Sequence, residues 1–399
     1  MALKKIIISG TGCALVDYLY NNVRFDSPPF QKYASRISGD GGLSPGKLVF
    51  TEELEKFSGK PYPGILAEIT GNRKPDSVNI GGPGLVSMIQ ASQMLDRQDY
   101  KVRFYGSAGH DRTGDKIFSL LEKMPLQYYG YKRTSKKATP TTDVLSDPTY
   151  DQGHGERTFV NNIGAAWDYH PDSLDNGFFD ADIVCFGGTA LVPVIHDNLT
   201  SLLARARKKG CVTVINTVFD FRNEKKNPGK PWPLVDRLQD YKFIDVLVMD
   251  REEAIRISGT NSIGEAARFF ASTAVSAFII TNGADDLVAW SGGKLFEQTG
   301  TLTLPVSSRV TGELRSNPQK RGDTTGCGDN FAGGIISSLA WQMTAKKSRY
   351  SLVEAVSWGV ASGGFCCYTI GGTYVERTPG EKRKEIEAIQ ADYLKQIGH

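Results

Sequence analysis

From residue 180 onward, short apolar runs alternate with helical segments, and no other feature limits the possible folds so tightly. The runs at 183–187, 212–216, 246–249 and 277–281 are rich in Val, Ile and Leu, with little polar alternation. Strands of that kind are buried on both faces, as in a parallel sheet. Segments such as 199–209, with its basic end ahead of Gly210, supply the crossover helices. The pattern predicts an α/β fold: a three-layer sandwich with a mostly parallel central sheet. In such a sheet the ligand sits at the carboxyl ends of the strands. Residues 4–9 and 102–106 read as further strands. Short β-like runs at 141–145 and 157–160, joined by a hairpin composition from Asp151 through His154 to Glu156, predict a β-hairpin.

One stretch carries the chemistry. Asp323-Thr324-Thr325-Gly326-Cys327-Gly328-Asp329-Asn330 is a polar, glycine-rich turn. It runs into Phe331, Ile335, Ile336, Leu339 and Ala340 at helical spacing, so a helix starts near Asp329. Gly326 and Gly328 let the backbone turn tightly and gather amides at the positive end of that helix, where an anion is stabilised. Asp329 then has two readings: a first-turn cap, or a base beside an anion cradle.

The string Asp-Thr-Thr-Gly-Cys-Gly-Asp-Asn-Phe-Ala-Gly-Gly resembles the signature of the ribokinase-like (PfkB-type) carbohydrate kinases, with Cys327 where that family usually has Ala. The resemblance implies a single kinase domain over 1–399 with a small β-sheet lid, its segments at about 15–50 and 128–162. It implies ATP-dependent transfer of the γ-phosphoryl group to a sugar hydroxyl, with Asp329 as base and the Gly326, Cys327 and Gly328 amides as anion hole. Asp17, just past the first strand, matches the family's sugar-binding Asp; otherwise it reads as a solvated loop residue. Asn79, Gly81 and Gly82 resemble the Gly-Gly motif near the sugar, although Val86 stands where an Asn is usual. Glu253 matches the Glu that organises magnesium, with Asp250 replacing an Asn; both would act through water. Thr281 and Gly283 resemble the nucleotide-phosphate turn, and Asn216 follows a strand on the same edge. The implied cofactors are ATP and Mg2+. Gly371 and Gly372 fall where the family closes a monovalent-cation site, and an exposed lid edge leaves room for a homodimer. A nucleoside kinase on the same scaffold would need stacking walls, for which Phe25, Phe30 and Tyr33 are candidates. A sugar sensor that kept the fold without catalysis is the third reading.

Composition narrows the partners. A net charge of +3 is too small to point to nucleic acid. No apolar run approaches the ~18 residues of a membrane span, and no secretion signal is recognisable, so a cytoplasmic protein is expected. The six cysteines form no Cys-x-x-Cys pair, and buried free thiols are expected. Gly10-Thr11-Gly12 and Gly41-Gly42-Leu43-Ser44-Pro45-Gly46-Lys47-Leu48 only approach nucleotide-binding motifs. Residues 20–75 and the basic stretch 307–322 read as long loops.

Overall fold

The computed structural model describes residues 5–37, 39–153, 155–347 and 349–399. Lys4 and His154, assigned above to the first strand and the hairpin turn, lie outside them. In chain order the strands are β1 (Ile6–Gly12), β2 (Leu15–Tyr20), β3 (Leu48–Phe50), β4 (Ser77–Gly81), β5 (Tyr100–Gly109), β6 (Gln127–Thr134), β7 (Thr141–Asp147), β8 (Glu156–Asn162), β9 (Ile183–Gly187), β10 (Val212–Asn216), β11 (Val246–Asp250), β12 (Ala277–Thr281), β13 (Leu287–Ser291) and β14 (Leu302–Leu304). Nine of them form one sheet in the order β14-β13-β12-β11-β10-β9-β1-β5-β6. All neighbours in it are parallel except the β12–β13 and β13–β14 pairs. The other five form a small sheet, β3-β8-β7-β2-β4.

Both faces of the large sheet are buried, as its apolar runs require. Ile183, Cys185, Val214, Val246 and Val248 face one cluster, packed by the Pro83–Met94, Cys327–Thr344 and Leu352–Cys366 helices. Val184, Phe186, Ile215, Leu247 and Met249 face the other, packed by the Leu199–Lys208, Arg251–Ser258 and Ile263–Ser272 helices. Each fully buried Ile, Leu or Phe contributes about 1.5–3 kcal/mol. The Cys327–Thr344 helix is buried along nearly its whole length. A Cβ on Gly333 would lie 2.5 Å from Gln90 Cβ, and one on Gly334 would lie 2.4 Å from the Trp358 carbonyl oxygen. The glycine pair of the signature therefore serves helix packing.

The small sheet differs in detail from the expected lid. Gln127–Thr134 pairs with β5 in the large sheet, whereas Ser77–Gly81 joins the small one beside β2. The 20–75 segment is not one long loop. It contains the helices Thr51–Ser58 and Tyr62–Thr70, which close a separate core on the lid. Phe25, Phe30 and Tyr33 are buried in that core, Phe25 stacked on Phe30 with centroids 4.5 Å apart, so they offer no wall for a nucleobase. The 307–322 stretch likewise contains a helix, Ser308–Ser316, capped by Ser307. Arg309 pairs with Glu313 and Asp392, and Lys320 with Glu313, a solvated and charge-balanced surface.

Candidate active site

The chain builds outward from β1 in two directions, through β5 to β6 and through β9 to β12. The strand order reverses between β1 and β9, and a ligand crevice is expected at that point. Three glycines meet there. A Cβ on Gly12 would lie 1.8 Å from the Gly187 carbonyl oxygen, and one on Gly187 would lie 2.5 Å from Gly84 Cα. The Cys13 amide donates to that same carbonyl at 2.9 Å, and the Leu85 amide donates to Cys13 O at 3.1 Å. Because these positions carry no side chains, the Pro83–Met94 helix can press its first turn onto the ends of β1 and β9.

The start of the Cys327–Thr344 helix lies against this crossing. Gly326 caps it in the left-handed region, φ 77°, and no side chain bonds its first amides. A Cβ on Gly328 would meet nothing within 4 Å, so the space over that amide is open. An uncapped, open helix start is an anion site by geometry and dipole. Asn330 holds it from behind, its amide donating to Gly326 O and Gly372 O, both at 2.8 Å. The buried Lys382 ammonium donates to Asn330 Oδ1 and Gln93 Oε1, each at 3.0 Å. Asp329 stands in the first turn, enclosed by protein but with an accessible edge. Burial pushes its carboxyl up to about 7.

Asp17 is not a solvated loop residue: it lies on β2 and is buried. Burial first, then the carboxylates of Asp323, Asp329 and Asp143, push its carboxyl up to about 8. It sits in the space a side chain on Gly81 would need, since a Cβ there would lie 2.1 Å from Asp17 Oδ2. Register places Asn79 on β4, Asp17 on β2, Thr142 on β7 and Asn161 on β8 directly opposite one another. They form one polar row across the lid sheet. Asn161 donates to Thr142 Oγ1 at 2.8 Å and leaves its own Oδ1 buried without a hydrogen bond. Asn79 donates to Ile370 O at 2.9 Å and Thr373 O at 3.1 Å, which ties β4 to the loop behind the cradle. Gly82 takes a positive φ of 92° beside the Cys13 carbonyl.

The folded state holds a proton on Asp17 between pH 4 and 8 that the unfolded chain has released. Stability linked to this group is therefore full below about pH 4 and is lost as pH rises toward 8. Asp17→Asn should stabilise the apo-protein by roughly 2–4 kcal/mol at pH 8.5 and by little at pH 4. Urea unfolding at the two pH values checks this; equal effects at both would refute the buried, repelled carboxylate.

The remaining candidates line the carboxyl edge of the large sheet. Asn216 ends β10, is buried, and donates to Pro83 O at 3.4 Å. Next to it, the Thr217 hydroxyl donates to Glu253 Oε2 at 2.5 Å. Asp250 and Glu253 form a reciprocal capping box on the Arg251–Ser258 helix. Glu253 is buried, and its carboxyl is pushed up by burial, then by Asp250 and, more weakly, by Asp329. Glu253 thus caps its own helix, and the Asp329 carboxylate is near enough to raise it further. Thr281 is the register partner of Asp250, and Gly283 follows in an open turn. Among the described residues no group of three or more His, Cys, Asp or Glu side chains is placed to hold a metal. A magnesium ion that keeps its waters needs only one or two carboxylates besides phosphate, and the free oxygens of Glu253 and Asp250 suit that.

Arg157 joins the lid to the signature turn. From β8 its guanidinium reaches the signature turn, donating to Thr324 Oγ1 at 2.5 Å and to Thr325 Oγ1, with Asp323 Oδ1 3.8 Å away. Thr142 and this lid-to-turn link were missed because both depend on strand register.

A family model for pfkB carbohydrate kinases matches residues 70–379. Among solved structures, adenosine kinase from Schistosoma mansoni in complex with 2-fluoroadenosine superposes with TM-score 0.68 at 16% identity, covering 93% of this chain and 97% of that one. A probable sugar kinase from Rhizobium etli gives 0.67 at 17% identity over 99% of both chains. Ribokinase from Thermotoga maritima gives 0.62 at 16% identity, covering 97% and 99%. At these identities the superpositions speak for the fold, the expected α/β sandwich with a small second sheet. No described helix is long and apolar enough to cross a membrane. With the model spanning well over half its length, the chain belongs to the pfkB family of carbohydrate kinases.

Proposed function

We propose that this protein transfers the γ-phosphoryl group of ATP to a hydroxyl of a carbohydrate. One observation carries the reading: a carboxyl pushed up to about 7, Asp329, stands beside an uncapped helix start and is near enough to Asp17 in the lid's polar row to raise it. The acceptor hydroxyl gives its proton to Asp329 while its oxygen bonds to the γ-phosphorus. The bond from that phosphorus to the bridging oxygen breaks, and ADP leaves. The Cys327 and Gly328 amides meet charge on the transferring group. Asp17, with Thr142 and Asn161 beside it, orients the acceptor, since a protonated carboxyl can donate to one hydroxyl and accept from another. Thr281, Gly283 and Asn216 mark the nucleotide side of the edge. Magnesium brought by the nucleotide supplies charge neutralisation near Glu253 and Asp250. The buried state of Phe25, Phe30 and Tyr33 removes these three as stacking walls for a nucleoside acceptor.

ADP release from magnesium ATP, with and without potassium, across sugars, sugar phosphates and nucleosides tests this. Turnover on a sugar is expected. Turnover on nucleosides alone would replace the reading with a nucleoside kinase. No turnover, with sugar-induced thermal stabilisation, would replace it with a sensor.

A further inference from the structure

Three of the six cysteines come together at the anion cradle. Cys13, Cys185 and Cys211 are buried at separate places in the core. Cys327 is the first residue of the Cys327–Thr344 helix, Cys366 the last of the Leu352–Cys366 helix, and Cys367 its cap. Cys327 Sγ lies 3.5 Å from Cys367 Sγ. Both are partly exposed, whereas Cys366 is 2% exposed and donates its thiol to Thr325 O at 3.3 Å. The same end of the helix fixes the signature turn, through Gly322 N to Cys367 O and Asp323 N to Thr369 O, both at 2.9 Å. Thiols, cradle and turn therefore form one mechanical unit.

We propose that Cys327 and Cys367 are a peroxide-sensitive oxidation site whose disulfide switches off the cradle. The inference rests on the kinase reading for its effect on turnover, but not for the chemistry of the bond. The hydrogen bond from Cys327, then the charge of Arg321, lower the Cys367 thiol against the opposing effect of burial, while its thiol neighbours raise Cys327. Cys367 is accordingly the attacking thiolate. Its sulfur takes one peroxide oxygen, the O–O bond breaks, and the departing hydroxide is protonated to water. Cys327 sulfur then attacks the sulfenic sulfur, the S–O bond breaks, and a second water leaves with the thiol proton. Two thiols lose two electrons and one peroxide gains them.

A disulfide needs about 2.05 Å between sulfurs, so the pair must close by roughly 1.5 Å. Cys327 carries a cradle amide, and a misplacement of ~1 Å in a catalytic group can cost on the order of 100-fold. Gly363 lets the two helix ends approach closely, since a Cβ there would sit 3.0 Å from Cys327 O. The two helix ends are thus already in contact, so closing the sulfurs pulls on the residue that carries the cradle amide.

The test exposes the full-length protein to hydrogen peroxide, caps free thiols and digests with trypsin. A cross-link between the peptides 322–346 and 350–377 is expected, absent in Cys367→Ser and retained in Cys366→Ser. Turnover on the best acceptor should fall at least tenfold and return with dithiothreitol, and Cys367→Ser should keep its reduced turnover under peroxide. No cross-link, a cross-link that survives Cys367→Ser, or a complete cross-link without loss of turnover would each overturn the proposal. If the reduced protein turns over no acceptor, the kinase reading fails, and with it the claim that the bond switches turnover off. The peptide map would still decide whether the disulfide forms.

Discussion

Asp329→Asn should lower kcat by about 10²- to 10⁴-fold while shifting the acceptor KM only a few-fold. The amide keeps the size of the carboxyl and can still hydrogen-bond a hydroxyl, but it cannot take the proton. The cradle amides would remain in place, so residual transfer is expected. In the wild type, kcat/KM should fall as pH drops below about 7, where burial leaves Asp329 protonated. That limb should vanish in the variant. Its stability at pH 8 should equal or exceed that of the wild type, because one of the charges repelling Asp17 is gone. Turnover within tenfold of the wild type would mean that another group accepts the proton.

Gly12→Ala should destabilise the fold by about 3–5 kcal/mol or more, among the largest effects a single methyl can have. Its Cβ would sit 1.8 Å from a backbone oxygen that cannot rotate away, and φ is +134°. The ends of β1 and β9 must then separate, which breaks the bond from the Cys13 amide to Gly187 O. Gly283→Ala is the control. It too has positive φ, 62°, but open space around it, so only backbone strain of roughly 1–2 kcal/mol applies. Urea midpoints compared at constant m-value separate the two. Equal losses would show that backbone conformation, and not the three-glycine crossing, sets the requirement.

The parallel core was legible because its strands are buried on both faces and so read as unbroken apolar runs. The cradle was legible because a helix start with glycines and an Asp is a local feature. What the sequence hid is non-local. Thr142 joins Asp17 only through the register of β2 with β7. Cys327 and Cys367 meet across 40 residues of chain. Asn79 sits among ordinary polar residues, and its tie to Ile370 and Thr373 cannot be seen until β4 pairs with β2. Short helices such as Thr51–Ser58 escaped because a single buried residue, Leu54, marks their inner face. The helix at Ser308–Ser316 escaped for the same reason, with only Val310 buried among charges that pair with one another.

The small sheet is stitched into the large one and not appended to it. The chain enters it after β1, leaves after β4, returns after β6 and leaves again after β8, so four covalent crossings join the two sheets. Four tethers confine the plate more than a single hinge would. The Arg157 contact with the turn is a further, non-covalent point at which the plate is held against the cradle. Nor can the plate be cut away by cleavage at one loop, so its order and that of the crevice beneath it are inherited together.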